Sequence, residues 1–515
     1  MLSLRGERFQ FAANRRTTRT PAPERERVRG RSSGSIATQA SPEEYRGSTG
    51  SGIRVKRIIW LRRDLRLVDN TALAEAANGA PVLAVYILDP AIIDRGSPGG
   101  RRRYAFLVAS LRELDQELAR FGTRLAVLHG DPVQVLPRFA KDNGATAVYW
   151  NRDYTPFAKR RDRNVARALA AQGMHTVTFK DQVVFESHEI VSRQGTPYRV
   201  FTPFARAWRA ALDRIGVQGA DVRPRWVPAA DIRGRLVDLA TLPIRTDELF
   251  IRPGRAAGLA SLDGFAERIN QYGHARDFPA IAGTSRLSPH LKFGTVSIRE
   301  CVDLALQFDN DGAESWLNEL IWRDFYHMIV DRFPRVAVGN FQPDTERIDW
   351  PGDPAHLECW QQGQTGFPII DAAMRHLART GWLHNRLRMV VASFLAKDLL
   401  LDWRHGEDWF RRQLIDYDFA ANNGGWQWAA STGVDAQPYF RVFNPVRQSQ
   451  RFDPDGAFIR ANVVELTDVP APAIHWPHGR IRAPGYPAPI VDHAEQRERA
   501  VQLFRAARPA SQPPR

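Results

Sequence analysis

The chain has 515 residues, 43% of them hydrophobic and 25% charged, and a formal charge of +15 at pH 7. Those proportions exclude a compositionally disordered chain and allow at least two cored domains. The positive excess admits a polyanionic partner, nucleic acid first, although only six of the 72 basic residues are lysines and arginine-rich coding alone produces that bias.

Residues 1–53 are rich in Ser, Thr, Gly, Pro and Arg without hydrophobic periodicity, which predicts a disordered tail. Ten arginines face five glutamates in the first 50 residues, so a third of the net charge sits there. No long apolar run marks a secretory signal. From 54 to 180, β-rich apolar runs (IIWL, PVLAVYIL, ATAVYW, HTVTFK) alternate with helical segments such as YAFLVASLRELDQELARFG, the pattern of an α/β domain with a parallel sheet. The domain reads as Rossmann-like, yet no GxGxxG follows a strand, and no lysine follows a glycine, which excludes a P-loop. Residues 181–255 mix Pro and Gly punctuation with weak periodicity and read as an extended interdomain connection. From 256 to 508 the chain is helical by period, and a short tail follows at 509–515. The run LRMVVASFLAKDLLLDW, from Leu387 to Trp403, is interrupted by Arg388, Lys397 and Asp398, so it predicts a core helix and not a membrane span. Cys301 and Cys359 are the only cysteines; neither has metal-ligand spacing, and both are expected as buried thiols of an intracellular protein.

In the helical half, polar and aromatic residues gather where a plain bundle places aliphatics. NELIWRDFY sets Glu319, Trp322, Arg323 and Tyr326 three or four apart, on one helical face. Taken alone, that face reads first as a solvated, salt-bridged surface. GWLHNRLRM puts Asn385 and Met389 at i and i+4 beside Arg388, although Met fills gaps in any core. GTSRLSPHLKFG clusters Thr284, Ser285 and Ser288 with Arg286 ahead of a helix near Val296, a composition suited to phosphates or to an ordinary capped loop. DYDFAANNGGWQW, from Asp416, joins two acids, two amides, two glycines and two tryptophans, a costly mixture for a plain core segment.

The segments SWLNELIWRDFY, TGFPIIDAAMRHLARTGWLHNRLRMVVASFLAKDLLLDWR and QLIDYDFAANNGGWQWAASTGVDAQPYFRVFNP closely resemble the FAD-binding half of the photolyase and cryptochrome family. Within it they are most similar to class I photolyases for cyclobutane pyrimidine dimers, and the similarity runs from about Arg54 to Arg508. The resemblance implies an α/β N-terminal domain with a parallel sheet, an all-helical C-terminal FAD-binding domain, and light-driven electron transfer from reduced, anionic FAD to a flipped-out dimer, without a metal. Tyr272, the loop Thr284, Ser285, Arg286, Leu287 and Ser288, and Arg323 match positions around the flavin's phosphates and ribitol. Asp416, Tyr417 and Asp418 match flavin-contacting positions, with Arg388 pairing Asp416, and Asn422 matches the residue facing flavin N5. Gly424 and Gly425 are expected to let backbone approach the cofactor.

On the DNA side, Trp322 and Trp428 match the indoles that stack on the dimer, Glu319 the carboxyl on the thymine edge, and Asn385 and Met389 the pocket wall. Arg276, Arg386 and Gln448 match DNA-facing positions. Trp426, Trp403 and Trp350 match an electron-transfer chain running from the flavin to the surface. YWNRDYTPFAKRRD has Phe157 and Ala158 where a folate-binding photolyase offers Asn and Glu, so the implied antenna is of the deazaflavin type. The alternative is a light-sensing cryptochrome without repair activity, which often departs from Glu319 or Asn422 and carries a long C-terminal extension. A (6-4) photolyase has histidines at Asn385 and Met389, and a DASH-type protein resembles this pocket less. Damaged DNA is the expected partner of a monomer located in the cytoplasm, or on the nucleoid in a bacterium.

Overall fold

Five parallel strands build one sheet in the order β3-β2-β1-β4-β5: β1 (Lys56–Leu61), β2 (Val82–Leu88), β3 (Ala126–His129), β4 (Ala145–Asn151) and β5 (His175–Phe179). The computed structural model describes residues 56–220, 222–479 and 483–507, within a compact unit that begins at Arg54. The expected tails at 1–53 and 509–515 lie outside the described residues.

The central strands are apolar on both faces because helices cover both, and all seven residues of β2 are buried, whereas the edge strand β5 is only half-buried. Each crossover helix starts where the sequence supplies a cap. Ser97, Asp131 and Thr155 accept backbone N–H bonds, each followed by a proline whose missing donor costs nothing at that position. The strand order reverses between β1 and β4, which opens a crevice at their carboxyl ends. Arg62 and Arg63 follow β1 there, and Arg152 and Asp153 follow β4.

The segment 181–255 is not merely an extended connection. It contains a helix, Phe201–Ile215, whose Phe201, Phe204 and Trp208 share a core with the helix Asp311–Arg332. Buried Asp324 of that long helix accepts Val184 N–H, Phe185 N–H and the Trp208 indole N–H at 3.0–3.3 Å. Further along, Trp226 bridges to Val82 beside the sheet, and Val227 packs with the strands. The linker thus laminates both halves, through residues too far apart in sequence to leave a periodic signal.

The run from Leu387 to Trp403 is likewise not one helix. An α-helix Asn385–Ser393 passes into a π-helical turn, Phe394–Asp398, and Leu400 adopts φ +52° before a new helix, Trp403–Gln413, begins at its Asp402 cap. The wider π turn keeps Lys397 and Asp398 inside the protein, where Asp398 meets His493 at 2.5 Å and Lys397 donates to Arg441 O at 3.0 Å. Cys301 is buried as expected, whereas Cys359 is half-exposed on the short helix Pro354–Gln362. Among the described residues no helix is long and apolar enough to cross a membrane.

Candidate functional site

The residues singled out at the flavin and lesion positions lie on the helices Asp311–Arg332, Asn385–Ser393, Phe419–Ala429 and Pro445–Phe452 and on the segments 272–288 and 416–418. The 311–332 helix, capped by Asn310, displays Glu319, Trp322, Arg323 and Tyr326, all half-buried. The helix Phe419–Ala429 starts at Asp418, whose carboxylate caps the N–H groups of Ala420 and Ala421. The two helices meet at Gly424, where a Cβ would lie 2.2 Å from the Tyr326 ring. Gly424 therefore serves the packing of these two helices. Gly425, one residue on, faces open space, with nothing within 4 Å of its would-be Cβ.

The acids and amides of this segment differ in what they leave free. Asp416 is buried and pairs with Arg388 at 2.7 Å through one oxygen, while its Oδ1 has no partner. Arg388 is oriented by a second bond, to Leu383 O at 2.8 Å. Asn422 donates its amide to Glu407 Oε1 at 2.9 Å and Glu407 O at 3.2 Å, so its carbonyl oxygen is the group left to present. Burial holds the Glu407 carboxyl above its usual range, against the opposing hydrogen bond from Asn422. Asp418 is engaged within the chain by Arg63. Burial pushes its carboxyl up, but Arg63, with His327, Lys292 and Arg323, outweighs burial and holds it well below the carboxylate range. Arg323 donates to Gln182 O, and burial lowers its guanidinium while Asp418 and Asp324 pull the other way.

An unpartnered buried carboxylate oxygen, a free amide carbonyl and two arginines suit a planar group with N–H donors that also carries phosphates. FAD is such a group, and the residues present fit it. Tyr272 is buried with its hydroxyl pushed upward by burial. The loop from Thr284 to Ser288 is less enclosed: Thr284 and Ser285 are half-buried, Leu287 is buried, and Ser288 and Arg286 are exposed. Arg286, at φ +53°, lies over Phe250 and Trp382, and Ser288 accepts the Trp382 indole N–H at 3.3 Å.

The lesion-side residues form an alternating rim of charge. Arg276 pairs with Glu319 at 2.7 Å, and neighbouring Asp277 pairs with Arg386 at 2.5 Å. Arg386 also lies 4.4 Å over Phe452, and Gln448 keeps a buried Oε1 without a partner. Asn385 is exposed; Met389 and Trp428 are half-buried. Behind them, Trp426 and Trp403 are buried and Trp350 is half-buried against Phe504. Trp403 donates to Asn340 at 2.9 Å, whereas the Trp426 N–H has no partner.

Several residues that matter here were not singled out by sequence. Gly406 makes room for Trp426, because a Cβ on it would sit 2.1 Å from that ring. A glycine inside an otherwise helical pattern was its only signal. Glu407, Arg63 and Asp277 had none, since each acts on a partner brought near by folding alone.

A second site lies at the sheet's carboxyl edge: a cavity of about 580 Å³ lined by Trp60, Arg63, Tyr104, Phe157, Arg161 and Lys292, among others. Of the residues assigned to flavin or lesion, only Tyr417 lines it. Two guanidinium groups lie over the Trp60 ring, Arg62 at 4.6 Å and Arg161 at 5.2 Å from its centroid, and both bond Asp162 Oδ1. Burial, with Arg63 adding to it, brings the Lys292 ammonium down to about 7. Arg63 lines this cavity and also pairs with Asp418, so one side chain touches both sites.

Comparison with known proteins gives a consistent picture. The family described as "DNA photolyase" matches residues 57–224, and that described as "FAD binding domain of DNA photolyase" matches residues 316–506. A deoxyribodipyrimidine photo-lyase of Halobacterium salinarum is 43% identical over 485 residues, covering 88% of this chain and 99% of its own. The crystal structure of a bacterial class III photolyase from Agrobacterium tumefaciens superposes with a TM-score of 0.81 at 35% identity, covering 89% of this chain and 99% of that one. An archaeal photolyase from Sulfolobus tokodaii, solved with two FAD molecules, gives 0.77 at 35% identity, covering 88% of this chain and all of that one.

Proposed function

The chain belongs to the DNA photolyase family, and from that premise we propose that it is a deoxyribodipyrimidine photo-lyase, repairing cyclobutane pyrimidine dimers under blue light. The observation that carries this reading is that the helix bearing Trp322 and the Arg276-paired Glu319 packs, through Tyr326 on Gly424, against the helix that presents the Asn422 carbonyl and follows Asp416 with its unpartnered oxygen. Asp416, Asn422, Arg388 and Arg323 would hold FAD. Bound and reduced, FAD supplies an electron to the dimer on absorbing blue light.

The chain's own residues bind, orient and stabilise. Trp322 and Trp428 offer indole faces to a flipped dimer, worth roughly 1–3 kcal/mol per stacked base. Flipping costs a few kcal/mol, less for a damaged pair, so discrimination starts there. The Glu319 carboxyl meets the pyrimidine edge in one of two ways: as a carboxylate it accepts from the ring N–H, and in its protonated form it donates to the carbonyl where negative charge gathers, an electrostatic role. Arg276 and Arg386 exchange their carboxylate partners for DNA phosphates. Glu407 fixes the Asn422 amide so that its carbonyl meets an N–H and not a lone pair.

A second chromophore suits the 580 Å³ cavity, whose cationic and aromatic lining favours a planar anionic pigment. With Phe157 and Ala158 in that lining, a deazaflavin is favoured over a folate. The protein acts as a monomer on damaged DNA in the cytoplasm. The deciding experiment illuminates the reduced protein with dimer-containing DNA: dimers should disappear in blue light and persist in the dark, and equal repair in both would end the proposal.

A further inference from the structure

One face of Trp322 is already taken. Phe201, the first residue of the linker helix, lies parallel to it with ring centroids 3.7 Å apart and planes at 5°. Aromatic pairs left to themselves prefer offset or edge-on arrangements with centroids about 4.5–7 Å apart. A close face-to-face pair is therefore held by its surroundings. Phe325 stands edge-on to both rings, 5.7 Å from Phe201 and 5.6 Å from Trp322, and Tyr326 leans on Trp322 from 5.5 Å.

The backbone of Phe201 is held as firmly as its ring. The residue before it, Val200, offers no side-chain cap to the helix. Asp435, 234 positions away in sequence, supplies the missing acceptor, taking the Phe201 N–H on Oδ2 at 3.0 Å. Asp435 adopts φ +44° in the loop that follows the 419–429 helix, and that loop returns to the same helix through Gln437 N–H on Trp428 O at 3.3 Å. One linker residue is thus stacked on Trp322 and tied to the segment that trails Trp428.

We propose that Phe201 is a positioning residue for lesion recognition, holding the Trp322 indole parallel to its own ring and leaving the opposite face for a flipped pyrimidine dimer. The proposal rests on the lesion-stacking role of Trp322. Phe201 is buried and Trp322 half-buried, so the stack runs from the interior outward. An indole free to turn would lose rotamer freedom when DNA binds; one backed by Phe201 has lost it on folding, and affinity gains the difference.

The test uses the full flavin-containing chain and one oligonucleotide, with and without a single cyclobutane dimer. Phe201→Leu removes the ring face, and Phe201→Tyr keeps it. Phe201→Leu should weaken dimer binding roughly two- to tenfold while undamaged-DNA affinity and flavin content stay at wild-type levels, and Phe201→Tyr should restore dimer binding. In a Trp322→Ala background, Phe201→Leu should have no further effect, because the two act as one unit. Wild-type dimer affinity in Phe201→Leu, together with weakened affinity in Trp322→Ala, overturns the proposal and leaves the role of Trp322 standing. Unchanged affinity in Trp322→Ala removes that role and the proposal with it. Equal losses for damaged and undamaged DNA, not rescued by Phe201→Tyr, would reduce Phe201 to general packing and also overturn it. Should Phe201→Leu not fold, Asp435→Ala releases the anchor instead; a dimer-selective loss supports the proposal, and unchanged dimer affinity refutes it.

Discussion

Glu319 and Arg276 hold each other at 2.7 Å, each partly exposed, and in the proposed repair reaction substrate would separate them. Removing the carboxyl therefore has two effects of opposite sign: the pyrimidine edge loses its hydrogen bond, and Arg276 is freed for phosphate. Glu319→Ala should lower the quantum yield of repair roughly two- to tenfold, the range of one net hydrogen bond, while changing dimer affinity much less. An unchanged yield would strip Glu319 of its assigned role. Trp426 can be probed with little structural damage. Its N–H has no partner, so Trp426→Phe forfeits no hydrogen bond, and the edge-on neighbours Phe410 at 5.0 Å and Trp360 at 6.0 Å remain. If Trp426, Trp403 and Trp350 conduct electrons, this variant should no longer reduce oxidised flavin in light, yet should repair DNA once reduced chemically. Undiminished photoreduction would refute the pathway. Failed repair after chemical reduction would mean that Trp426 supports the pocket.

The 419–429 helix carries adjacent glycines with unlike duties, and they separate cleanly by experiment. An alanine at 424 would press on the Tyr326 ring and push this helix from the 311–332 helix, an overpacking cost of about 1–3 kcal/mol. At 425 the methyl meets nothing, and alanine's helix preference should add up to about 1 kcal/mol. Thermal melts of Gly424→Ala and Gly425→Ala should shift in opposite directions; parallel shifts would show that the helix seam lies elsewhere. The glycine pair illustrates what was legible in the chain. Helical spacing set Glu319, Trp322 and Arg323 on one face, and the helix bears that out. The alternation of apolar runs foretold the parallel sheet in the same way. What stayed hidden depends on contacts across the fold. Nothing near Leu400 announces the left-handed turn that ends the π segment, and nothing near Phe201 announces Asp435. Arg63 and Asp418, 355 positions apart, meet only once both halves have folded.

At the scale of the whole molecule, buried ionisable groups set how stability responds to pH. Burial brings the imidazoles of His290, His327 and His384 from 6.5 down to about 4. The unfolded chain takes up those protons first, so their contribution is full above pH 6.5 and is lost as pH falls toward 4. Asp324 and Asp398, raised by burial to about 6, act oppositely: the folded protein binds their protons between 6 and 3.8, and acid stabilises it there. From 6.5 to 6 the histidines titrate ahead of these two acids, so stability falls there on acidification, and below that the paired carboxylates Asp181 and Asp418, held low by their arginines, add to the loss. On the alkaline side, Lys292 and Lys397 are brought down to about 7, chiefly by burial, so the fold holds them neutral above 7 while unfolded lysine stays charged up to 10.5. Stability therefore rises with pH through this window. Cys301 and the buried tyrosines 86, 272, 326 and 417, raised by burial, reverse the trend above about pH 9–10 because the folded state then keeps protons that the unfolded state gives up. The flavin-containing protein should melt at successively higher temperature at pH 5, 7 and 9. Lys397→Met should flatten the step from 7 to 9, since Lys397 is fully buried with a single bond to Arg441 O. A melting temperature that falls from pH 7 to 9 in the wild type would show that neither lysine is held neutral by the fold.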